Sequence, residues 1–113
     1  MITYWHNPRC SKSRAGLALL QDKGVAVQQR LYLQDPPSLD EIRQVQTKLG
    51  GAAIDMMRAK DKLFKELGLR EDMNDGELLA AMVQTPALIE RPIAVTGDLA
   101  VIGRPTEALE ALL

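Results

Sequence analysis

The chain has 113 residues, enough to bury the core of one compact domain but not of two. Hydrophobic residues make up 46% and charged residues 26% of the sequence, an ordinary balance for a soluble protein. A formal net charge of -1 gives no reason to expect nucleic acid as a partner, and no apolar run reaches the roughly 20 residues that a membrane helix needs.

The first third of the sequence predicts a strand, a helix and a second strand. β-branched and aromatic residues at positions 2–5 favour a short strand. A helix is expected to begin just after Cys10 and to stop at Gly24. Residues 25–33 alternate as in a strand, and the apolar side of that strand would carry Val25, Val27, Leu31 and Leu33. This order indicates a right-handed βαβ unit with parallel strands.

The middle of the chain predicts helices only. Ser38 followed by Glu41 is a capping-box signature, so a helix should start near Leu39 and end at the glycine pair at 50 and 51. Three shorter helical pieces follow, which we predict at 54–58, 61–67 and 76–84.

The end of the chain returns to strands. Residues 93–96 and 99–102 flank Gly97-Asp98, a two-residue hairpin signal, and a final helix opens at Pro105. We therefore predict one domain over residues 1–113, with an all-helical insertion at about 35–90 that packs on the sheet.

Cys10 lies where the first strand ends and the first helix starts. Amide groups at a helix start favour negative charge, so a thiol there commonly has a lowered pKa, and the same amides suit a small oxyanion. An isolated cysteine is often a small buried hydrophobe, but the polar stretch NPRCSKSR around Cys10 favours a reactive thiol.

Cys10 is also the only cysteine, and this limits the chemistry. Ser13 stands where a dithiol oxidoreductase would have its resolving cysteine, so an oxidised Cys10 must be reset by an external thiol. No internal disulfide can form. One Cys and one His cannot fill the coordination shell of a zinc or iron–sulfur site, so we expect no such site held by the protein alone. The start MITYWHNPRC lacks the pattern of a secretion signal, so we expect a cytoplasmic protein and, by default, a monomer.

The segment YWHNPRCSKSR at 4–14 resembles the active-site segment of the glutaredoxin-dependent arsenate reductase (ArsC) family. The likeness continues in order through LYLQDPPSLDEI, MMRAKDKLFKELGL, LIERPIAVTGD and IGRPTEAL, which covers nearly the whole chain. It is strongest to the short YfgD-like branch of the family. The resemblance implies an α/β, thioredoxin-like fold, in which the βαβ and ββα parts form a four-stranded mixed sheet.

The resemblance also implies a reaction. Cys10 would attack arsenate to give a thiolate–arsenic(V) adduct, with glutathione as co-substrate and no bound cofactor. Glutaredoxin then reduces the mixed disulfide, and arsenite leaves. The oxyanion-binding arginines of the family match Arg58, Arg91 and Arg104, and the histidine upstream of its cysteine matches His6. Guanidinium groups suit this role because they bind tetrahedral oxyanions through forked hydrogen bonds.

Several of these residues also have a simpler interpretation. An arginine is usually a solvated surface residue, and His6 could merely cap the turn after the first strand.

The resemblance implies that the Arg91–Pro92 bond is cis and lies beside Cys10. Ser11 and Lys12 stand where characterised family members tend to have Gly and Thr, and those members continue past the last helix. The oxyanion that is the true substrate is therefore left open.

Two other functions fit the same residues. A monothiol glutaredoxin-like exchanger would accept and release glutathione at Cys10 without any oxyanion. An Spx-like regulator would bind RNA polymerase and catalyse nothing. Many such regulators sense oxidation through a pair of cysteines, which Ser13 removes here, and the arginines fit an enzyme better.

Overall fold

The computed structural model describes all 113 residues, which form two compact units. The first unit consists of Met1–Asp35 and Arg91–Leu113, and the second of Pro36–Glu90. The second unit is the part of the chain where the helical insertion was predicted. No helix in the chain combines the length and the apolar character that crossing a bilayer requires.

The first unit is built on a four-stranded mixed sheet. Its strands are β1 (Ile2–Trp5), β2 (Val27–Arg30), β3 (Ile93–Thr96) and β4 (Leu99–Ile102), in the order β2-β1-β3-β4. β1 and β2 are parallel, while β3 is antiparallel to both β1 and β4. Helix α1 (Ser11–Asp22) connects the parallel pair, so the predicted βαβ unit, hairpin and mixed sheet are confirmed.

Strand β2 is shorter than the predicted 25–33 at both ends: it starts at Val27 rather than Val25, and the chain turns after Arg30. The amides of Gln34 and Asp35 both donate to the carbonyl of Leu31, at 3.0 and 2.8 Å. The Arg30 Nε lies 2.9 Å from the Asp35 carboxylate and 2.9 Å from its carbonyl oxygen. Leu31 and Leu33 are therefore turn residues rather than part of a strand face, and Leu33 stays 44% exposed.

The core of the first unit lies between α1, the sheet and the last segment of the chain. It contains buried residues from all three: Ile2, Tyr4, Leu20, Ala94 and Leu109. Gly16 on α1 permits close packing there, since a Cβ at this position would collide with the Tyr4 hydroxyl and lie 2.9 Å from Leu109 Cδ1. The predicted final helix is a 3-10 helix, Thr106–Leu112, of seven residues. This run is longer than the three or four residues usual for that form.

The second unit is helical. Helix α2 (Leu39–Leu49) starts with the predicted capping box, in which the Glu41 amide donates to Ser38 Oγ at 3.2 Å and the Ser38 amide donates to Glu41 Oε1 at 3.0 Å. It ends at Gly50, whose φ of 81° is left-handed.

The remaining helices of the second unit are short. They are a 3-10 turn (Ala53–Met56), α3 (Lys62–Glu66), α4 (Asp75–Gln84) and a second 3-10 turn (Pro86–Leu88). Asp75, at the start of α4, accepts from Gln46 Nε2 at 2.7 Å and from the Ala53 amide at 3.3 Å. This carboxylate thus ties α4 to α2 and to the first 3-10 turn.

Candidate active site

Cys10 occupies the N-cap position of α1, as the sequence predicts. Its amide donates to the Asn7 carbonyl at 3.0 Å, which closes a tight turn, and its carbonyl accepts from the Arg14 amide at 3.0 Å. No side chain caps this helix end. The first-turn amides of α1 are therefore not taken up by a capping side chain and can hydrogen-bond to the sulfur. The cysteine is partly exposed.

The surroundings of Cys10 favour its thiolate. Burial raises the pKa of the thiol, but the Ser13 amide, the Arg91 guanidinium and the Lys12 amide all hydrogen-bond to the thiolate. The charge of Arg91 adds to these bonds, and the pKa falls below its ordinary value of 9.0. The arrangement yields a nucleophile at the mouth of a helix, stabilised by amides and one guanidinium.

Ser13 holds the cysteine turn in place. It is fully buried, and its Oγ accepts from the Asn7 amide at 3.0 Å and lies 2.7 Å from His6 Nδ1. Because one lone pair of Oγ is used by Asn7, the hydroxyl proton is available for Nδ1 of a neutral His6. Ser13 thus occupies the position of a resolving cysteine, yet it acts as a hydrogen-bond bridge between β1 and α1.

Tyr4 also hydrogen-bonds to Ser13. The Tyr4 hydroxyl donates to the Ser13 carbonyl at 2.7 Å, and the ring lies 5.6 Å from that of His6. Burial raises the pKa of Tyr4 well above its ordinary value of 10.0, so the hydroxyl keeps its proton and remains a donor. The sequence showed Tyr4 only as a strand residue, because its partner lies on the following helix.

His6 is buried, with 5% of its surface exposed. Burial, and then the charge of Arg14, lower the pKa of its imidazole below 6.5. Its Nδ1 bonds to Ser13, whose amide in turn faces the Cys10 sulfur. This geometry makes His6 a residue that acts on the thiol through Ser13, and its part in the reaction stays a prediction.

Arg91 and Arg104 both lie in the first unit and are joined by a hydrogen bond. Both precede a proline in a cis peptide bond, Arg91–Pro92 as the resemblance implied and Arg104–Pro105 in addition. Arg104 Nε donates to the Arg91 carbonyl at 2.8 Å, and Arg91 itself bonds to the thiolate. Arg91 is thereby brought to Cys10 although the two lie far apart in sequence, and Arg104 is tied to the backbone of Arg91.

Arg58 belongs to the second unit. Its Nη1 lies 2.8 Å from the Asp61 carboxylate, its Nε lies 4.0 Å from that of Glu90, and its amide donates to the Leu88 carbonyl at 2.8 Å. A guanidinium has five N–H donors, so this pairing leaves others for a ligand. Its role in oxyanion binding stays a prediction.

Comparison with known proteins agrees with this geometry. The profile described as ArsC family matches residues 5–112. The chain belongs to the ArsC family. A Neisseria meningitidis protein named arsenate reductase is 48% identical over 114 aligned residues, which cover 99% of this chain and 97% of the relative.

Two further proteins are similar to nearly the whole chain. The Escherichia coli protein named uncharacterized protein YfgD is 44% identical, and the alignment covers 94% of this chain and 91% of that protein. A solved structure described as arsenate reductase from Vibrio cholerae is 44% identical and superposes with a TM-score of 0.94 over 99% of this chain and 97% of the other. The family resemblance and the thioredoxin-like α/β fold predicted from the sequence are confirmed.

Proposed function

We propose that this protein reduces arsenate to arsenite, with Cys10 as the nucleophile and glutathione and glutaredoxin as the thiol donors. The observation that carries the proposal is the Cys10 thiolate, which the Ser13 amide and Arg91 both stabilise. Relatives named arsenate reductase, at up to 48% identity over almost the whole chain, support arsenate as the substrate.

The proposed reaction has three steps. The Cys10 thiolate attacks the arsenic of arsenate; an S–As bond forms, and a hydroxide leaves as water after protonation. The glutathione thiolate then attacks the Cys10 sulfur, so that an S–S bond forms and the S–As electron pair stays on arsenic, which leaves as arsenite. A glutaredoxin thiolate finally takes the glutathione from the mixed disulfide and releases the Cys10 thiolate.

Each proposed site residue has a distinct role in these steps. Arg91 already bonds to the thiolate, so its remaining donors are close to any oxyanion that adds to the sulfur. Arg104, whose Nε donates to the carbonyl of Arg91, supplies a second guanidinium for the oxyanion. We assign Arg58 as the third oxyanion ligand, and His6 as a positioning residue behind Ser13.

The test is arsenite production from arsenate by purified protein, supplied with glutathione and glutaredoxin. We expect turnover in the wild-type protein and none in Cys10→Ser, which keeps the size of the side chain but removes the nucleophile. Equal turnover by Cys10→Ser would show that the proposal is wrong.

The glutathione exchanger is the second candidate, and the single cysteine favours it, because a mixed disulfide needs only one protein thiol. Mass spectrometry separates the two functions. A glutathione adduct whose rate of formation does not change with arsenate, together with no arsenite release, would favour the exchanger.

A further inference from the structure

A pocket of about 360 Å³ opens beside the cysteine turn in the first unit. One wall is formed by residues 6–9, which lead directly into Cys10. The opposite wall consists of Leu31, Leu33 and Gln34, from the turn that shortens β2. None of the arginines assigned to the oxyanion lines it, so the pocket is a separate feature of the site.

Hydrogen bonds connect the lining of the pocket to Cys10 and to the first turn of α1. The Asn7 carbonyl accepts from the Cys10 amide, and the Asn7 amide donates to Ser13 Oγ, so its lining backbone is fixed to the first turn of α1. Arg9 is the residue before Cys10, and neighbouring Cα atoms are only about 3.8 Å apart. The pocket therefore borders the segment of chain that leads directly into Cys10.

We propose that this pocket binds glutathione, the thiol that attacks the Cys10 adduct; this inference rests on the proposed function. The chemistry of the two partners is complementary. Arg9 offers an exposed cation to a carboxylate of the peptide, Asn7 and Gln34 offer amides to its peptide groups, and Leu31 and Leu33 offer apolar contact. An extended peptide of this length spans roughly 10 Å, which matches a pocket of this size.

The other participants fit the pocket less well. Arsenate is far smaller than the pocket, and its proposed guanidinium ligands, Arg91 and Arg104, lie on other segments. A protein such as glutaredoxin would need roughly 800 Å² of surface on each side, far more than a concave site formed by seven residues. The pocket therefore selects a small anionic peptide.

Two pairs of variants test the assignment. Leu33→Asp places a negative charge at the pocket rim, and its control is Leu67→Asp, because Leu67 in the second unit is similarly exposed (48% against 44%). Arg9→Ala removes the cation, and its control is Arg43→Ala, an exposed arginine on α2. Steady-state kinetics would measure KM for glutathione and for arsenate separately, with glutaredoxin saturating.

We expect Leu33→Asp and Arg9→Ala each to raise KM for glutathione about three- to tenfold. Arg9→Ala loses one solvent-exposed contact with a carboxylate of the peptide, and Leu33→Asp adds a charge that repels it. KM for arsenate should not change, and the control variants should match the wild-type protein. Normal arsenate turnover with an unchanged KM for glutathione in both pocket variants would overturn the pocket assignment and leave the proposed function standing.

A binding measurement keeps the inference testable if the protein does not reduce arsenate. S-methylglutathione, which cannot form a disulfide, would be titrated into the wild-type protein while backbone amide shifts are recorded by NMR. We expect the shifts to concentrate at residues 7, 9, 31, 33 and 34 and to weaken several-fold in Leu33→Asp. Shifts absent from these residues, or equal in Leu33→Asp and the wild-type protein, would contradict the assignment.

Discussion

Ser13 shows how one side chain can replace the usual partner of a reactive cysteine. Its hydroxyl serves the Asn7 amide and His6 Nδ1 in a fully buried position. Removing it would leave the buried Nδ1 of His6 without that partner, which costs on the order of 1–3 kcal/mol. The Asn7 amide is only partly buried, so its loss of the same partner costs less.

We predict that Ser13→Ala lowers the free energy of unfolding by about 1–3 kcal/mol, measured by urea denaturation with the fluorescence of Trp5. Ser11→Ala is the matched control, because Ser11 is exposed in the same helical turn. Its unfolding free energy should change by less than about 0.5 kcal/mol. If the two variants were equally stable, the buried bridge would have no energetic role.

The rate at which Cys10 is alkylated should rise with pH, because the thiolate is the reactive form. Only the thiolate reacts with iodoacetamide, so the alkylation rate rises with pH and reaches half its maximum at the pKa of Cys10. That midpoint should lie below 9.0 in the wild-type protein and move upward in Arg91→Ala, since the guanidinium stabilises the thiolate. Arg91→Lys keeps the positive charge but loses the forked guanidinium donors. Its alkylation midpoint should therefore lie between those of the wild-type protein and Arg91→Ala.

Arg43→Ala, which removes an exposed arginine of the second unit, should leave the alkylation midpoint unchanged. The same shift stabilises the folded state above the ordinary thiol pKa, and that stabilisation is lost as the pH falls through the lowered pKa. An alkylation midpoint that stayed fixed in Arg91→Ala would remove Arg91 from the list of groups that tune the thiol.

At the level of elements, local signals predicted well and contacts between segments did not. The capping box of Ser38 and Glu41 involves residues three apart, so α2 could be placed from the sequence. Strand β2 was predicted too long because its end depends on the contact of Arg30 with Asp35, which an alternating pattern does not reveal. The last segment follows the predicted apolar spacing, but spacing does not distinguish an α-helix from a 3-10 helix of this length.

Gly16 is the point where α1 packs most closely on the rest of the first unit. Alanine normally stabilises a helix interior relative to glycine by up to about 1 kcal/mol. At Gly16 the added methyl would overlap the Tyr4 hydroxyl and press on Leu109 Cδ1 at 2.9 Å. We therefore predict that Gly16→Ala lowers the unfolding free energy by about 1–3 kcal/mol in urea denaturation.

Gly76→Ala is the matched control for this prediction. Gly76 also lies in a helix, α4, but a Cβ there would meet only Asn74 Oδ1, at 3.4 Å. The same substitution should therefore be neutral or stabilising. Two glycines that responded alike would show that helix propensity, rather than close packing, decides the effect at Gly16.

Over the whole molecule, the candidate site divides into a part that the sequence could predict and a part that it could not. Cys10 was identifiable because a helix start and a polar stretch are local features. The meeting of Arg91 with the thiolate joins distant segments, so it could be expected only from the family resemblance. The link from His6 to Ser13 was missed because it depends on how β1 packs against α1.

The single cysteine limits how many glutathione molecules each chain can bind covalently. Because the chain has a single cysteine, Cys10 cannot form an internal disulfide, and its thiolate should attack any accessible external disulfide. Exposure to oxidised glutathione should therefore add one glutathione per chain in intact-mass measurements, glutaredoxin with glutathione should remove it, and Cys10→Ser should gain none. If a disulfide-linked dimer formed instead at low protein concentration, Cys10 would prefer a second chain to a small thiol, and neither the proposed reductase cycle nor the exchanger could operate through it.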